Sequence, residues 1–287
     1  MESWHNLTDE QLKELMILDQ YLIRKIVGGH SKVPFEFLFL ETSAIPIDFI
    51  LTSRRLNYLH TILSRGDSEI TKKIYFAQKS DPIKGDWVQK IQEDMQKVNI
   101  VMDENKIAKM KKSIFKNLVK TNVRKATFSY LRETQLTHTK INTISYPKFT
   151  IQPYLECQSF SFTESFTLFN VRANTVNSFK MCFTSMNRNN LNCRLGCLEE
   201  DSLEHCMSCP VIDQHIGRPP IPIIDVFKTK EKQKQAIDTF IARSTLRTAL
   251  LEGSGAYQGS SILDTSTPAP GGAGERIGLP PIVALLF

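Results

Sequence analysis

The stretch CRLGCLEEDSLEHCMSC, residues 193–209, decides how the C-terminal half of this chain folds. It holds a set of candidate metal ligands with the spacing C-x3-C-x7-H-x3-C: Cys193, Cys197, His205 and Cys209. Zinc prefers a tetrahedral shell of thiolates and imidazoles, and a site closed by four protein ligands is usually structural. A metal bound here would let a short segment fold that buries too little apolar surface to fold alone. We therefore predict a structural Zn²⁺ site.

The fourth ligand has alternatives. Cys206 directly follows His205, and adjacent residues rarely bind the same small ion, whereas the spacing from His205 to Cys209 lets one helical turn present both side chains. His215 could replace Cys209, and the cysteines could also be reduced and buried without a metal. The acidic run 199–201 within this stretch is predicted to be a solvated turn. Four protein ligands would leave no position for a reactive water, which disfavours a hydrolytic site.

Length and composition limit the class of protein. The chain has 287 residues, enough for one large or two ordinary domains, and its hydrophobic content of 41% supports a real core. A formal charge of +6 suits an acidic partner such as nucleic acid. The polar start predicts no signal peptide, and the apolar residues 277–287 are too few to span a bilayer. We expect an intracellular protein of the nucleus or cytoplasm, with no membrane partner.

Helical signals recur along most of the chain, so we predict a mainly α fold. Thr8 and Gln11 form a candidate capping box, and Gly28 ends the helix that follows. Further helices are predicted over 47–63 and 230–251. The tail 252–287 is rich in glycine and is predicted to be disordered.

Residues 105–125 contain eight Lys or Arg and no Asp or Glu. As one helix they would carry an apolar stripe on one side and a basic stripe on the other. The apolar stripe is Ile107, Met110, Ile114 and Leu118, and the basic stripe is Lys109, Lys112, Lys116, Lys120 and Arg124. Such a basic face suits a phosphate backbone, although it could also be an ordinary solvated face or lie on an anionic membrane.

Several catalytic patterns are missing. The sequence contains no phosphate-binding loop, nucleophile elbow or H-E-x-x-H helix. It also has no adjacent pair of aspartates that could hold the metal ions of a polymerase. We predict no catalytic residue.

Several ordered motifs resemble those of one family. They are L-E-T-S-A-I-P at 40–46, R-R-L-N-Y-L-H-T-I-L-S-R at 54–65, P-I-K-G-D-W at 82–87, Tyr130-Leu131, L-F-N-V-R at 168–172 and the C-C-H-C cluster. In this order they resemble the region downstream of the reverse transcriptase palm in non-LTR (LINE-type) retrotransposon polyproteins. The first cysteine pair departs from the pattern, because in the family it is often closer.

The resemblance implies a helical, thumb-like and linker region that binds template RNA or target DNA, followed by a zinc knuckle with the ligands named above. The palm with its Y-x-D-D motif and any endonuclease are missing, so the chain would be a C-terminal piece of a transposable element that is no enzyme by itself. Its partners would be RNA or DNA and other retrotransposon-encoded chains.

These observations predict five segments. They are a thumb-like region with the basic helix (1–140), a linker (141–190), the zinc knuckle (191–216), a Pro-rich break with a C-terminal helix (217–251) and the disordered tail (252–287). The predicted function is non-catalytic nucleic-acid binding. The rival is a structural protein-interaction module, or an inactive relic, in which zinc only stabilises the fold. The predicted phosphate contacts are Arg54, Arg55, Lys109, Lys112, Lys116, Lys120, Arg124, Arg188 and Arg194.

Overall fold

Helices make up the regular structure of the computed structural model, which confirms the mainly α prediction. The structure describes residues 7–29, 31–81, 83, 85–139, 141–156, 160–175, 192–193 and 195–253. Among these residues no strand forms, and the one β-bridge joins Asn192 to Glu200. The chain divides into two compact units, Met1–Pro153 and Tyr154–Phe287. The finer division proposed from the sequence stays a prediction.

The N-terminal unit is built around one central helix. In chain order its helices are α1 (Asp9–Val27), α2 (Phe35–Thr42), α3 (Ile47–Leu63), α4 (Ile70–Ser80), α5 (Trp87–Lys97), α6 (Glu104–Lys109) and α7 (Lys112–Gln135). Helix α3 contacts α1, α4, α5, α6 and α7. Its Leu56, Leu59 and Leu63 are fully buried in a core shared with Ile91 of α5 and Phe115 of α7. Burial of this apolar surface is the main stabilising contribution to the unit.

Local signals set the ends of α1 as the sequence predicts. The Thr8 side chain accepts a hydrogen bond from the Gln11 backbone, and the Gln11 side chain accepts one from the Thr8 backbone. Gly28 ends the helix with a φ of 69°, a left-handed conformation that glycine adopts at little cost. The predicted helix over 47–63 is confirmed with the same bounds.

The prediction of one continuous helix over 105–125 is wrong. Helix α6 ends at Lys109, and α7 starts at Lys112 after Met110 has adopted an extended backbone. The Met110 carbonyl accepts a 2.8 Å hydrogen bond from Nε2 of His60, a buried residue of α3. Because this carbonyl already accepts a hydrogen bond from a side chain, it is not available for the backbone hydrogen bond that would continue the helix. The buried side of α7 also differs from the predicted stripe, because Phe115, Val119 and Val123 face the core while Ile114 is 55% exposed.

The C-terminal unit packs short helices against a long one. Its helices are α8 (Phe162–Arg172), α9 (Leu203–Met207), α10 (Pro210–Ile216) and α11 (Lys230–Gly253), and α8, α9 and α10 each contact α11. The helix predicted over 230–251 is therefore confirmed to within two residues of its end. Residues 254–287, which include nearly all of the predicted disordered tail, lie outside the described residues. Within the described part of the chain, every helix is too short or too polar to cross a membrane.

Candidate metal centre and basic surface

A tight turn and two short helices bring the cysteine and histidine ligands together. The Cys193 backbone N–H donates to the carbonyl of Glu199 at 2.8 Å, which closes the turn that carries Cys193 and Cys197. Gly196 lies inside the turn with a φ of 90°, where a side chain would be strained. Ser202 caps α9 by accepting from the His205 N–H, and Cys209 directly precedes Pro210, the first residue of α10.

The distances in this cluster suit tetrahedral coordination. The candidate donor atoms of Cys193, Cys197, His205 and Cys209 all lie within 4.8 Å of one another. The Cys209 sulfur lies 3.9 Å from that of Cys193 and 3.3 Å from that of Cys197. Sulfurs bound at about 2.3 Å around a tetrahedral ion would be separated by about 3.8 Å. The cluster can therefore hold a metal ion, and the predicted ligand set is brought together.

His205 is oriented by a carboxylate. Its Nδ1 lies 2.8 Å from Oε2 of Glu199, whereas its Nε2 is buried and has no hydrogen-bond partner. A buried polar nitrogen without a partner is costly, and a metal ion would satisfy it. A carboxylate on the second ring nitrogen is the usual way in which a metal-binding histidine is held in one tautomer and one orientation. Glu199 is thus a candidate functional residue that the sequence analysis missed.

Burial makes the protonation state of the cluster depend on whether a cation is bound. Cys193, His205 and Cys209 are buried, and burial raises the pKa of the Cys209 thiol to about 12. Without a cation this sulfur would stay protonated at neutral pH, because the loss of hydration outweighs the hydrogen bonds from the backbone N–H groups of Val211 and Ile212. A divalent ion would supply that charge and lower the pKa of the thiol. Ile212, and Leu246 of α11, pack against the cysteines and exclude water from the site.

The alternatives for the fourth ligand are resolved by where the side chains lie. Cys206 is buried, but its sulfur lies 3.8 Å from Oδ1 of Asp201 and outside the cluster. His215 is exposed on α10 and is not part of the cluster. Cys209 therefore completes the candidate ligand set.

The prediction that 199–201 is a solvated turn is wrong for Asp201. This carboxylate is fully buried and accepts a 2.5 Å hydrogen bond from Nη2 of Arg243 on α11. The ion pair ties the loop that carries the ligands to the longest helix of the unit. Sequence reasoning could not find the pair, because Arg243 lies 42 residues further along the chain.

The cationic residues of α7 form the second candidate site. Lys112, Lys116 and Lys120 are exposed, and their spacing of four residues puts them on one side of the helix, about 6 Å apart along its axis. We call these three residues the basic surface. Lys109 is exposed as well but belongs to α6, beyond the helix break. A shallow cleft of about 440 Å³ lies beside Lys112 and is also lined by Arg65.

Other predicted phosphate contacts lie elsewhere. Arg55 is buried, and its Nε and Nη2 donate to the Asp94 carboxylate at 2.5 and 2.8 Å, so its guanidinium cannot reach a ligand at the surface. The neighbouring Arg54 is exposed. Arg124 is half-buried, because its Nη2 donates to the Phe149 carbonyl at 2.8 Å and its guanidinium covers the Phe149 ring. The predicted contacts Arg188 and Arg194 lie outside the described residues.

Comparison of the chain with protein-family models, with curated proteins and with solved structures found no match. The quoted sequence motifs can nevertheless be placed in the fold. In the motif at 168–172, Leu168, Phe169 and Val171 are buried side chains of α8. This motif therefore contributes to the core of the C-terminal unit.

Proposed function

We propose that this chain is a non-catalytic nucleic-acid-binding protein. Its basic surface on α7 would contact phosphates, and a structural zinc ion would stabilise the segment around 193–209. The observation that carries the proposal is an exposed row of lysines on a helix whose buried side, formed by Phe115, Val119 and Val123, is fixed in the core. The rival function, a protein-interaction module, needs no such row.

The electrostatics of the basic surface support a polyanionic ligand. No Asp or Glu occurs between residues 105 and 125, so the charged side chains of this stretch are all positive. Each phosphate contact by a lysine releases condensed counterions, and this release is the main source of affinity in binding that is independent of sequence. Arg54 and Lys109 would be additional contacts at the surface.

Zinc is the metal that the donor set supports best. Three thiolates and one imidazole are soft to intermediate ligands, which favour zinc over magnesium or calcium. All four positions of a tetrahedral ion would be filled by the protein, so the ion would have a structural role and no role in hydrolysis. Glu199 would hold His205 in place, and Ile212 would shield the site from water.

We also propose that the chain derives from a non-LTR retrotransposon reverse transcriptase, as a piece from downstream of the palm. Support for this origin comes from the order of the sequence motifs. On this proposal the chain would not polymerise by itself, and the missing palm would belong to another part of the polyprotein or to another chain.

A salt titration of oligonucleotide binding tests the function. We predict that replacing Lys112, Lys116 and Lys120 together by Gln weakens binding of mixed-sequence single strands at least about tenfold. The slope of log K against log salt should become shallower by about 2, because each lost phosphate contact contributes about 0.7. Fluorescence anisotropy of labelled RNA and DNA at several salt concentrations measures both quantities.

The control removes the same number of charges elsewhere in the N-terminal unit. Replacing Lys13, Lys73 and Lys90 by Gln lowers the net charge equally but leaves the basic surface intact. This variant should bind with nearly the affinity and slope of the original chain. Equal losses in both variants would point to unspecific charge attraction, and unchanged binding in the α7 variant would contradict the proposal.

A further inference from the structure

Helix α1 presents an apolar patch to solvent. Four large side chains in two successive turns are half exposed: Ile17 (58%), Leu18 (51%), Tyr21 (50%) and Leu22 (52%). Positions separated by three and four residues share one side of a helix, so these side chains form one continuous surface. We call them the α1 patch. Exposing so much contiguous apolar surface is unfavourable and usually marks a contact with another molecule.

The N-terminal unit already uses the opposite side of α1. Ile23 and Val27 are buried, the Asp19 carboxylate accepts a 2.8 Å hydrogen bond from the Ile47 N–H, and Arg24 donates to the Val33 carbonyl. These contacts fix the rotation of the helix about its axis. The α1 patch therefore cannot turn inward without breaking buried polar interactions.

Charge is arranged symmetrically around the α1 patch. Glu14 lies one turn before it, and Lys25 lies one turn after it, both on the exposed side of the helix. The Lys25 ammonium lies 5.4 Å from the centre of the Tyr21 ring, at the edge of the patch. The exposed stripe thus runs from an acidic end through an apolar middle to a basic end. Such a stripe is complementary to its own copy when the two run in opposite directions.

We propose that the α1 patch is a dimer interface in which α1 packs antiparallel against α1 of a second copy of this chain. The two-fold axis would pass between residues 19 and 20. Each residue of one copy would then face the residue of the second copy for which the two residue numbers add up to 39. Leu18 then faces Tyr21, Ile17 faces Leu22, and Glu14 faces Lys25 of the second copy. Two-fold symmetry repeats every contact, which is the usual arrangement of a homodimer.

The expected dimer is weak. One helix from each copy buries less than the roughly 1,200 Å² of a standard stable interface, so the complex should dissociate on dilution. The complementary ends mainly fix the direction of the helices and add little affinity, since exposed ion pairs are weak. This association is independent of the proposed nucleic-acid binding and can be tested without it.

Sedimentation velocity of the full chain, from low micromolar to near-millimolar protein, measures the association. We expect monomer at the low end and dimer at the high end. Leu18→Glu and Leu22→Glu should each lower the association constant at least about tenfold, because a charge would be buried at the interface. Ile74→Glu on α4 is the matched control, since Ile74 is also 52% exposed, and it should leave the constant unchanged. Unchanged thermal unfolding shows that each variant is folded.

A charge exchange tests the antiparallel direction. Glu14→Lys and Lys25→Glu should each weaken the dimer, and the variant carrying both should regain the original association because the paired charges are only exchanged. Failure of the double variant to recover would overturn the antiparallel arrangement. A chain that stays monomeric at every concentration would overturn the proposal. A dimer that Leu18→Glu leaves intact would also overturn it, because its interface would lie elsewhere.

Discussion

Cys206 and Cys209 are three residues apart but lie in different environments. The Cys209 sulfur lies among the candidate ligands, while the Cys206 sulfur lies against Asp201. We predict that Cys209→Ser abolishes binding of stoichiometric zinc and that Cys206→Ser retains it. A hydroxyl binds zinc far more weakly than a thiolate, whereas the change at Cys206 lies outside the ligand set.

Metal content of protein purified without chelator, together with the sulfur-to-metal absorption of the cobalt form, measures this difference. About one zinc for each chain is expected in the original protein and in Cys206→Ser. Loss of the metal in both variants would mean that Cys206 also binds, and its retention in both would remove Cys209 from the ligand set.

Arg54 and Arg55 mark the limit of sequence reasoning at the residue scale. Both are arginines in the middle of one predicted helix, and nothing local separates them. Arg55 is buried and Arg54 is exposed, because Asp94, 39 residues after Arg55, lies where only Arg55 can reach it. The clustering of the candidate metal ligands could be predicted because it depends on residue type and short spacing, whereas burial of an arginine depends on packing across the unit.

At the scale of elements, the helix ends are set by nearby residues, whereas the helix break involves a residue far along the chain. The caps of α1 are local hydrogen bonds within a few residues, so the sequence predicts them well. At the break between α6 and α7 the Met110 carbonyl accepts from His60, 50 residues earlier in the chain, and no periodicity in residues 105–125 reveals this contact. Because of the break, the exposed lysines of the basic surface all belong to α7 and Lys109 does not.

A substitution at His60 tests this account of the break. We predict that His60→Phe lowers the free energy of unfolding of the N-terminal unit by about 1–2 kcal/mol, because the Met110 carbonyl loses its donor. Phenylalanine keeps an aromatic ring to stack on Phe115, so the loss of the hydrogen bond is the main change. Urea unfolding followed by tryptophan fluorescence measures it, since the chain has two tryptophans and both lie in this unit.

Ser80→Ala is a suitable control, since Ser80 is exposed and its hydroxyl donates to the Phe76 carbonyl within the same helix, α4. That variant should lose less than about 0.5 kcal/mol. An unfolding curve of His60→Phe that coincides with that of the original chain would show that the hydrogen bond does not maintain the break.

At the scale of the whole molecule, the two units differ in what stabilises them. The N-terminal unit has a core of large side chains from most of its helices, including Leu56, Ile91 and Phe115. The segment around the candidate metal centre has a small apolar cluster made of Cys193, Leu195, Cys209 and Ile212, with side chains of α11 packed against it. Because this apolar cluster is small, a bound metal ion should contribute to the folding free energy of the segment.

Removing the metal should therefore unfold one part of the chain and spare the other. With a strong chelator, we predict that hydrogen exchange becomes fast in α9 and α10, while the amides of α3 and α7 keep their protection and tryptophan fluorescence stays unchanged. In Cys209→Ser the same helices should exchange fast without chelator, and adding chelator should change nothing further. Uniform loss of protection in all four helices would show that the units depend on each other for stability. Full protection after metal removal would show instead that α9 and α10 are stabilised by packing against α11, with no contribution from a bound ion.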